Sequence, residues 1–143
     1  MAEALSRPMP VLLRCIALGV AAGMRTSAPI AALVWKSPGA PVTKSTASLL
    51  WLGELLVDKL PFTPERRSIP GLVARLASGA IAGALRGRRD GVPRVGALVG
   101  AAGAALGTFG SAYARERLVK HFPRLGVALA EDAVATRLAR WAA

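Results

Sequence analysis

The chain has 143 residues, enough for one domain, and 53% of them are hydrophobic while only 5% are aromatic. An apolar mass of Ala, Leu, Val and Gly, with a mean hydropathy of +0.44, favours tight helix packing in lipid over the core of a water-soluble protein. The net charge of +11 argues for anionic lipid headgroups and against nucleic acid, because the basic residues lie between apolar stretches and not on an aromatic face.

Four or five helical segments are predicted from apolar stretches that are separated by Pro, Gly and basic clusters. The first runs from about Pro10 to Trp35 and ends at a turn signal, Lys36 to Gly39. The second runs from about Ser45 to Leu60 and stops at Pro61. It is short for a membrane crossing and would need tilt or local thinning of the bilayer.

The remaining segments follow a connector, Pro61 to Pro70. A third helix is predicted from Gly71 to about Arg86, with a basic loop from Arg86 to Arg94 after it. Val95 to Ala114 is free of charge and, at ~1.5 Å per residue, long enough to cross a ~30 Å hydrocarbon layer. A final segment, Phe122 to Trp141, mixes apolar and charged residues, which is typical of a helix at the interface or one lining a bundle.

A stripe of glycines, spaced four and three residues apart, runs through the charge-free segment. In a soluble helix each would cost roughly 1 kcal/mol relative to alanine, whereas in a membrane helix they form a strip that another backbone can approach closely. Two readings are open: packing within one protomer, and self-association into a homo-oligomer of glycine-zipper type. The predicted packing glycines are Gly19, Gly23, Gly79, Gly83, Gly96, Gly100, Gly103, Gly107 and Gly110.

One arginine lies inside the first apolar segment. Arg25 is about two-thirds along it, and insertion scales place a central arginine at roughly +2.5 to +3.5 kcal/mol, so it needs a partner or a water-filled cavity. Pro29 cannot donate a hydrogen bond to the carbonyl of Arg25. The sequence therefore predicts a local break here, which would expose backbone groups to an ion or substrate.

Acidic residues are the predicted counter-ions. Glu54 and Asp58 are four residues apart and project from one helix face, so we expect cations beside them. Arg25 and Arg75 are expected to neutralise this pair together with Glu131. The candidate substrate or ion pathway residues are Arg25, Glu54, Asp58, Lys59, Arg75, Arg115, Glu131 and Asp132.

Three interpretations of these charges stay open. They are structural ion pairs that fix the bundle, a pathway for a substrate or proton, or a carboxylate site for a divalent metal to which His121 could contribute. No HExxH, GxSxG, Walker or paired-cysteine motif is present. We therefore expect no enzyme activity, no cofactor and no assigned metal ligand.

Several short motifs occur between roughly Leu18 and Ala135. They are Gly23-Met24-Arg25-Thr26, Gly53-Glu54, Asp58-Lys59-Leu60-Pro61, Thr63-Pro64, Arg66, Arg75, the GAIAGA run from Gly79, and Glu131-Asp132. In this combination the chain resembles a bacterial membrane-protein family catalogued as domain of unknown function 4126. The resemblance implies a small integral membrane protein with no established activity, whose marked charges coincide with those above.

The sequence thus predicts an all-α, polytopic membrane bundle of four to five helices in a single domain, residues 1–143. We expect a multi-pass protein of the bacterial cytoplasmic (inner) membrane that contacts lipids and forms a homo-oligomer, with the loop from Arg86 to Arg94 on the cytoplasmic side. The expected function is transport or conduction of an ion, or of a small or lipid-linked anionic substrate. The alternative is a non-transporting scaffold or assembly partner whose intramembrane charges are structural ion pairs.

Overall fold

The computed structural model describes residues 8–39, 41–57 and 69–143. These residues form helices and short connections with no strand, which confirms the predicted all-α class. The described helices, in chain order, are α1 (Pro8–Met24), α2 (Ala28–Lys36), α3 (Pro41–Val57), α4 (Ile69–Arg88), α5 (Pro93–Leu118) and α6 (Arg124–Ala142).

The predicted first segment forms two helices, so the expected total of four or five is too low. The chain leaves the helix after Met24, and α2 begins at Ala28 with Pro29 in its first turn. Because Pro29 has no N–H, the carbonyl of Arg25 accepts instead from the N–H of Ala28 at 3.3 Å. The break predicted at this proline is therefore present.

Three long helices, α1, α4 and α5, make the most extensive contacts in the described chain. Glycines allow this approach: a Cβ built on Gly19 or Gly83 would come within 3.0 Å of a backbone carbonyl of α5. Gly79 lies against Gly100 and Gly83 against Gly96, so α4 and α5 run antiparallel.

The last helix, α6, packs on α1 in the opposite direction. The Arg14 guanidinium lies 5.8 Å from the ring centre of Trp141, and Arg25 forms an ion pair with Asp132. Helix α1 therefore runs toward Asp132. After the break, α2 lines a cleft together with Thr136, which is one turn beyond Asp132 toward the C-terminal end of α6. The chain has thus reversed direction and runs back along α6. Among the described helices, α3 contacts only α2.

The distribution of residue sizes is the reverse of that in a water-soluble bundle. Most of the buried hydrophobic residues are alanines, and the buried polar residues include Arg25, Arg75 and Asp132. Most large apolar side chains lie outside, although Leu18 and Leu33 are buried. Examples are Leu98 (74% exposed), Leu106 (67%), Leu49 (68%) and Leu125 (62%).

Within the described residues, one helix, α5, is long and apolar enough to cross a membrane, and a shorter apolar helix covers Pro10–Met24. Only 39% of the most apolar window of α5 is buried in the bundle. One such helix is weak support for membrane association, because the core helix of a soluble protein passes the same test of length and composition.

Candidate functional site

The centre of the candidate site is an ion pair between the break and α6. A side-chain nitrogen of Arg25, Nη2, donates to Oδ1 of Asp132, 107 positions further along the chain. The Arg25 side chain is 2% exposed and that of Asp132 is 12% exposed. Removing one partner from such a buried pair leaves an uncompensated charge, so the two residues depend on each other.

Hydroxyl groups from α4 and α5 contact backbone carbonyls at the break. Ser78 Oγ donates to the carbonyl of Thr26 at 2.5 Å. The single hydroxyl proton of Thr108 has its nearer acceptor in the carbonyl of Ala104 on its own helix, at 2.8 Å, and the carbonyl of Gly23 is the longer contact, at 3.3 Å. Carbonyls at a helix end or in a turn have no partner within a helix, and burying one without a hydrogen bond costs about 1–3 kcal/mol. The Ser78 hydroxyl therefore stabilises the break, and the Thr108 hydroxyl adds a longer contact.

A second buried arginine lies close to this centre. Arg75 is 8% exposed and precedes Ser78 by three residues on α4, so the two side chains leave the same buried face of the helix. Because Ser78 contacts the break, Arg75 belongs to the same level of the bundle. We call this level the polar layer, and its members are Arg25, Arg75, Ser78, Thr108 and Asp132.

The two adjacent acids of α6 face different arginines. Arg115 Nη2 on α5 lies 3.5 Å from Glu131 Oε2, while Asp132 pairs with Arg25. The Arg115 side chain is 34% exposed, against 2% for Arg25, while the Glu131 side chain is only 8% exposed, so the arginine end of the Glu131 pair is open to solvent and its carboxylate end is buried. All four residues were candidate pathway residues from the sequence. The structure shows which arginine pairs with which acid.

Three of the predicted pathway positions cannot be placed. Asp58, Lys59 and the side chain of Glu54 lie outside the described residues, as does most of the connector from Pro61 to Pro70. Within the described residues, no three His, Cys, Asp or Glu side chains form a group that could hold a metal ion. His121 is exposed between α5 and α6.

The glycine stripe is used within the protomer over most of its length. A Cβ on Gly96, Gly100, Gly103 or Gly107 would come within 3.0 Å of backbone atoms of α1 or α4. On those two helices, Gly19, Gly23, Gly79 and Gly83 face α5 in the same way. Gly110 differs, because a Cβ there would meet nothing within 4 Å in the described structure.

A cleft of about 570 Å³ lies between α2, α3 and α6. None of the pathway residues predicted from the sequence is among its described lining. The lining residues are Ala28, Ala31, Ala32, Trp35, Lys36, Ser48, Trp51, Leu52, Thr136 and Arg140. Sequence reasoning missed this site, although the pairing of Trp with a cation at Trp35-Lys36 and Arg140-Trp141 is a signal for it.

Searches of known protein families, curated proteins and solved structures found no match for this chain. Its function is therefore inferred from the polar layer and the cleft themselves.

Proposed function

We propose that this chain is a multi-pass protein of the bacterial inner membrane. The support is the distribution of side chains, with most leucines outside and mainly alanine, glycine and paired charges inside, since lipid tails solvate leucine while small residues let helices approach. Helices α4, α5 and α6 have 20, 26 and 19 residues. At about 30, 39 and 28 Å, all three are about long enough to reach across a hydrocarbon layer of about 30 Å, but of these only α5 is also apolar enough to cross it.

We infer that the polar layer is structural and that the protein acts as a non-transporting scaffold. The main support for a structural role is the direct ion pair between Asp132 and Arg25, whose side chain is 2% exposed. The carbonyl of Thr26 already accepts a bond from the Ser78 hydroxyl, and that of Gly23 faces the Thr108 hydroxyl at 3.3 Å. A conducting site would instead present such groups to water or to a substrate. In the described structure the cleft is lined by other residues.

A double-mutant cycle combined with a flux assay tests this role. Arg25→Met or Asp132→Leu alone should lower the free energy of unfolding by about 3–5 kcal/mol, and the double variant should recover most of that loss. Arg94→Met, at an exposed position, is the control and should change stability by less than about 0.5 kcal/mol. Proteoliposomes with the wild-type chain should show no proton or anion flux above empty vesicles.

A defined outcome of the flux assay would contradict the scaffold role. If the wild-type chain conducts, and a stably folded double variant does not, the polar layer is a pathway and the scaffold role is wrong. The cycle separates this outcome from misfolding, since the double variant is expected to regain stability.

Transport of a small or lipid-linked anion is the second candidate. It is favoured by the closeness of the cleft to the ion pair: Ala28 lines the cleft three residues after Arg25, while Thr136 lines it and donates to the carbonyl of Asp132 at 2.8 Å. In this alternative, a displacement of α2 joins the cleft to the pair. Cross-linking α2 to α6 should then abolish flux, whereas a scaffold would tolerate the cross-link.

Membership of the family of unknown function 4126 and homo-oligomerisation are further proposals. The exposed side chains Leu98, Leu106 and Phe109 leave one face of α5 for lipid or a second copy. Light scattering of the detergent-solubilised chain gives the mass of the particle and so shows whether a second copy covers this face of α5. A mass of one protomer would contradict the homo-oligomer without affecting the membrane location.

A further inference from the structure

The cleft between α2, α3 and α6 combines an apolar floor with basic side chains. Ala28, Ala31 and Ala32 form the floor with Leu52, and the cations are Lys36 and Arg140. Its volume of about 570 Å³ is in the usual range of ligand sites, ~300–1,000 Å³. Such a cleft suits a ligand that has both an apolar part and an anionic part.

The two cations are not neutralised within the described part of the chain. Lys36 and Arg140 take part in no ion pair there, whereas Arg25, Arg86 and Arg115 each face a carboxylate. The described lining of the cleft contains no acidic side chain. The electrostatic complement of this opening is therefore an anion.

Two tryptophans also line the cleft. The indole N–H of Trp35 donates to Ser48 Oγ at 3.1 Å, which ties α2 to α3, and Trp51 is half-buried on α3. Amphipathic indole rings are enriched at the level of lipid headgroups, with the ring in the apolar region and the N–H in the polar one. Their presence favours an amphiphile over a small inorganic anion.

The cleft reaches the most basic end of the bundle. Arg140 is next to Trp141, whose ring stacks under Arg14, and Arg89 donates to the carbonyl of Ala143 at 3.1 Å. The start of α1, the end of α6 and the loop between α4 and α5 therefore meet here. Under the positive-inside rule this end faces the cytoplasm, where anionic lipids add a negative surface potential.

We propose that the cleft binds an anionic phospholipid of the cytoplasmic leaflet. Its phosphate lies between Lys36 and Arg140, and one acyl chain lies along the floor formed by Ala28, Ala31 and Ala32. A free phosphate ion would use the cations and leave the alanine floor unoccupied. This inference depends on the membrane location proposed above and adds a ligand class to it.

Tryptophan quenching in nanodiscs tests the proposal. In a Trp141→Phe background, fluorescence comes from Trp35 and Trp51, and phosphatidylglycerol with brominated acyl chains should quench it at lower mole fraction than brominated phosphatidylcholine does. At about 1 kcal/mol per cation, Lys36→Gln or Arg140→Gln should each lower this preference about fivefold, and the double variant about 30-fold. Arg137→Gln is the matched control, because Arg137 is exposed on α6 and outside the cleft.

Each alternative result contradicts one named element of the proposal: the lipid site, the phospholipid as ligand, or the membrane location. Equal quenching by both lipids, or equal losses in the Arg137→Gln control, overturns the lipid site and leaves the membrane location intact. Relief of quenching by millimolar inorganic phosphate identifies a small-anion site and overturns the phospholipid. A chain that does not enter nanodiscs overturns the membrane location and the lipid site together. If the double variant does not fold, the loss of lipid preference in Lys36→Gln and Arg140→Gln alone still tests the site.

Discussion

A methyl group added to the glycine stripe should have opposite effects at two positions of the same helix. A Cβ on Gly100 would lie 3.0 Å from the carbonyl carbon of Gly79 and 3.1 Å from the Cα of Gly83, with the carbonyl oxygen of Gly79 closer still. All three atoms belong to the backbone of α4, so no side-chain rotation relieves the contact. A Cβ on Gly110 would meet nothing within 4 Å.

The magnitude follows from these contacts. Since carbon contacts are optimal near 3.5–4.0 Å, Gly100→Ala requires α4 and α5 to separate by roughly 1 Å. Overpacking of this kind costs about 1–3 kcal/mol. Gly110→Ala has no steric cost and gains up to about 1 kcal/mol from the helix propensity of alanine. Both variants share that propensity gain, so the difference between their unfolding free energies isolates the steric cost at about 1–3 kcal/mol.

The assay is reversible unfolding in mixed micelles by titration with a denaturing detergent, followed by circular dichroism. Gly100→Ala should unfold at the lower detergent fraction, and Gly110→Ala at or above the wild-type value. Equal stability of the two variants, or greater stability of Gly100→Ala, would refute the close approach of α4 and α5.

Three further predictions concern the break and the ion pairs. Thr108→Val keeps the side-chain shape but removes a hydroxyl that donates mainly to Ala104 of its own helix and only at 3.3 Å to the carbonyl of Gly23, so it should lower the unfolding free energy by under about 1 kcal/mol, and a larger loss would show that the bond to Gly23 is the principal one. Ser78→Ala should cost about 1–3 kcal/mol, and backbone hydrogen exchange near Thr26 should accelerate; unaltered exchange there would exclude the contact. Glu131→Gln should cost about 1–3 kcal/mol, because the Glu131 side chain is only 8% exposed although its partner Arg115 is 34% exposed, and a change below about 0.5 kcal/mol would contradict the pairing.

The helices were largely predictable, because apolar stretches bounded by Pro, Gly and basic clusters mark them locally. The predicted bounds differ where a proline begins a helix: α3 begins at Pro41, four residues before the predicted Ser45, since proline is favoured in the first turn. The break was predictable from the missing N–H of Pro29. The return of α2 along α6 was not, because it depends on contacts with residues more than 100 positions away.

The candidate site was predictable in kind and not in pairing. A buried arginine needs a counter-ion wherever it lies, so Arg25 stood out from the sequence alone. The choice of Asp132 over its neighbour Glu131 depends on which face of α6 meets the break. The hydroxyl donors Ser78 and Thr108 were missed because a lone Ser or Thr in an apolar helix has no local signature of its partner.

The cleft was even less predictable from the sequence than the ion pairs. Its lining comes from α2, α3 and α6, which are brought together only by the tertiary fold. Lys36 and Arg140 are 104 positions apart, and neither position suggests the other in the sequence. Their shared feature, a tryptophan beside a cation near the end of a helix, marks a membrane interface without specifying a ligand.

The central claim, that the leucine-covered exterior faces lipid, is tested most directly by spin labels on α5. In a Cys15→Ala background, labels at Leu98→Cys and Leu106→Cys should collide more often with molecular oxygen than with a water-soluble nickel complex. A label at Arg94→Cys, at the basic end, should show the reverse. If the nickel complex reaches all three labels equally, these leucines face water and the membrane location is wrong.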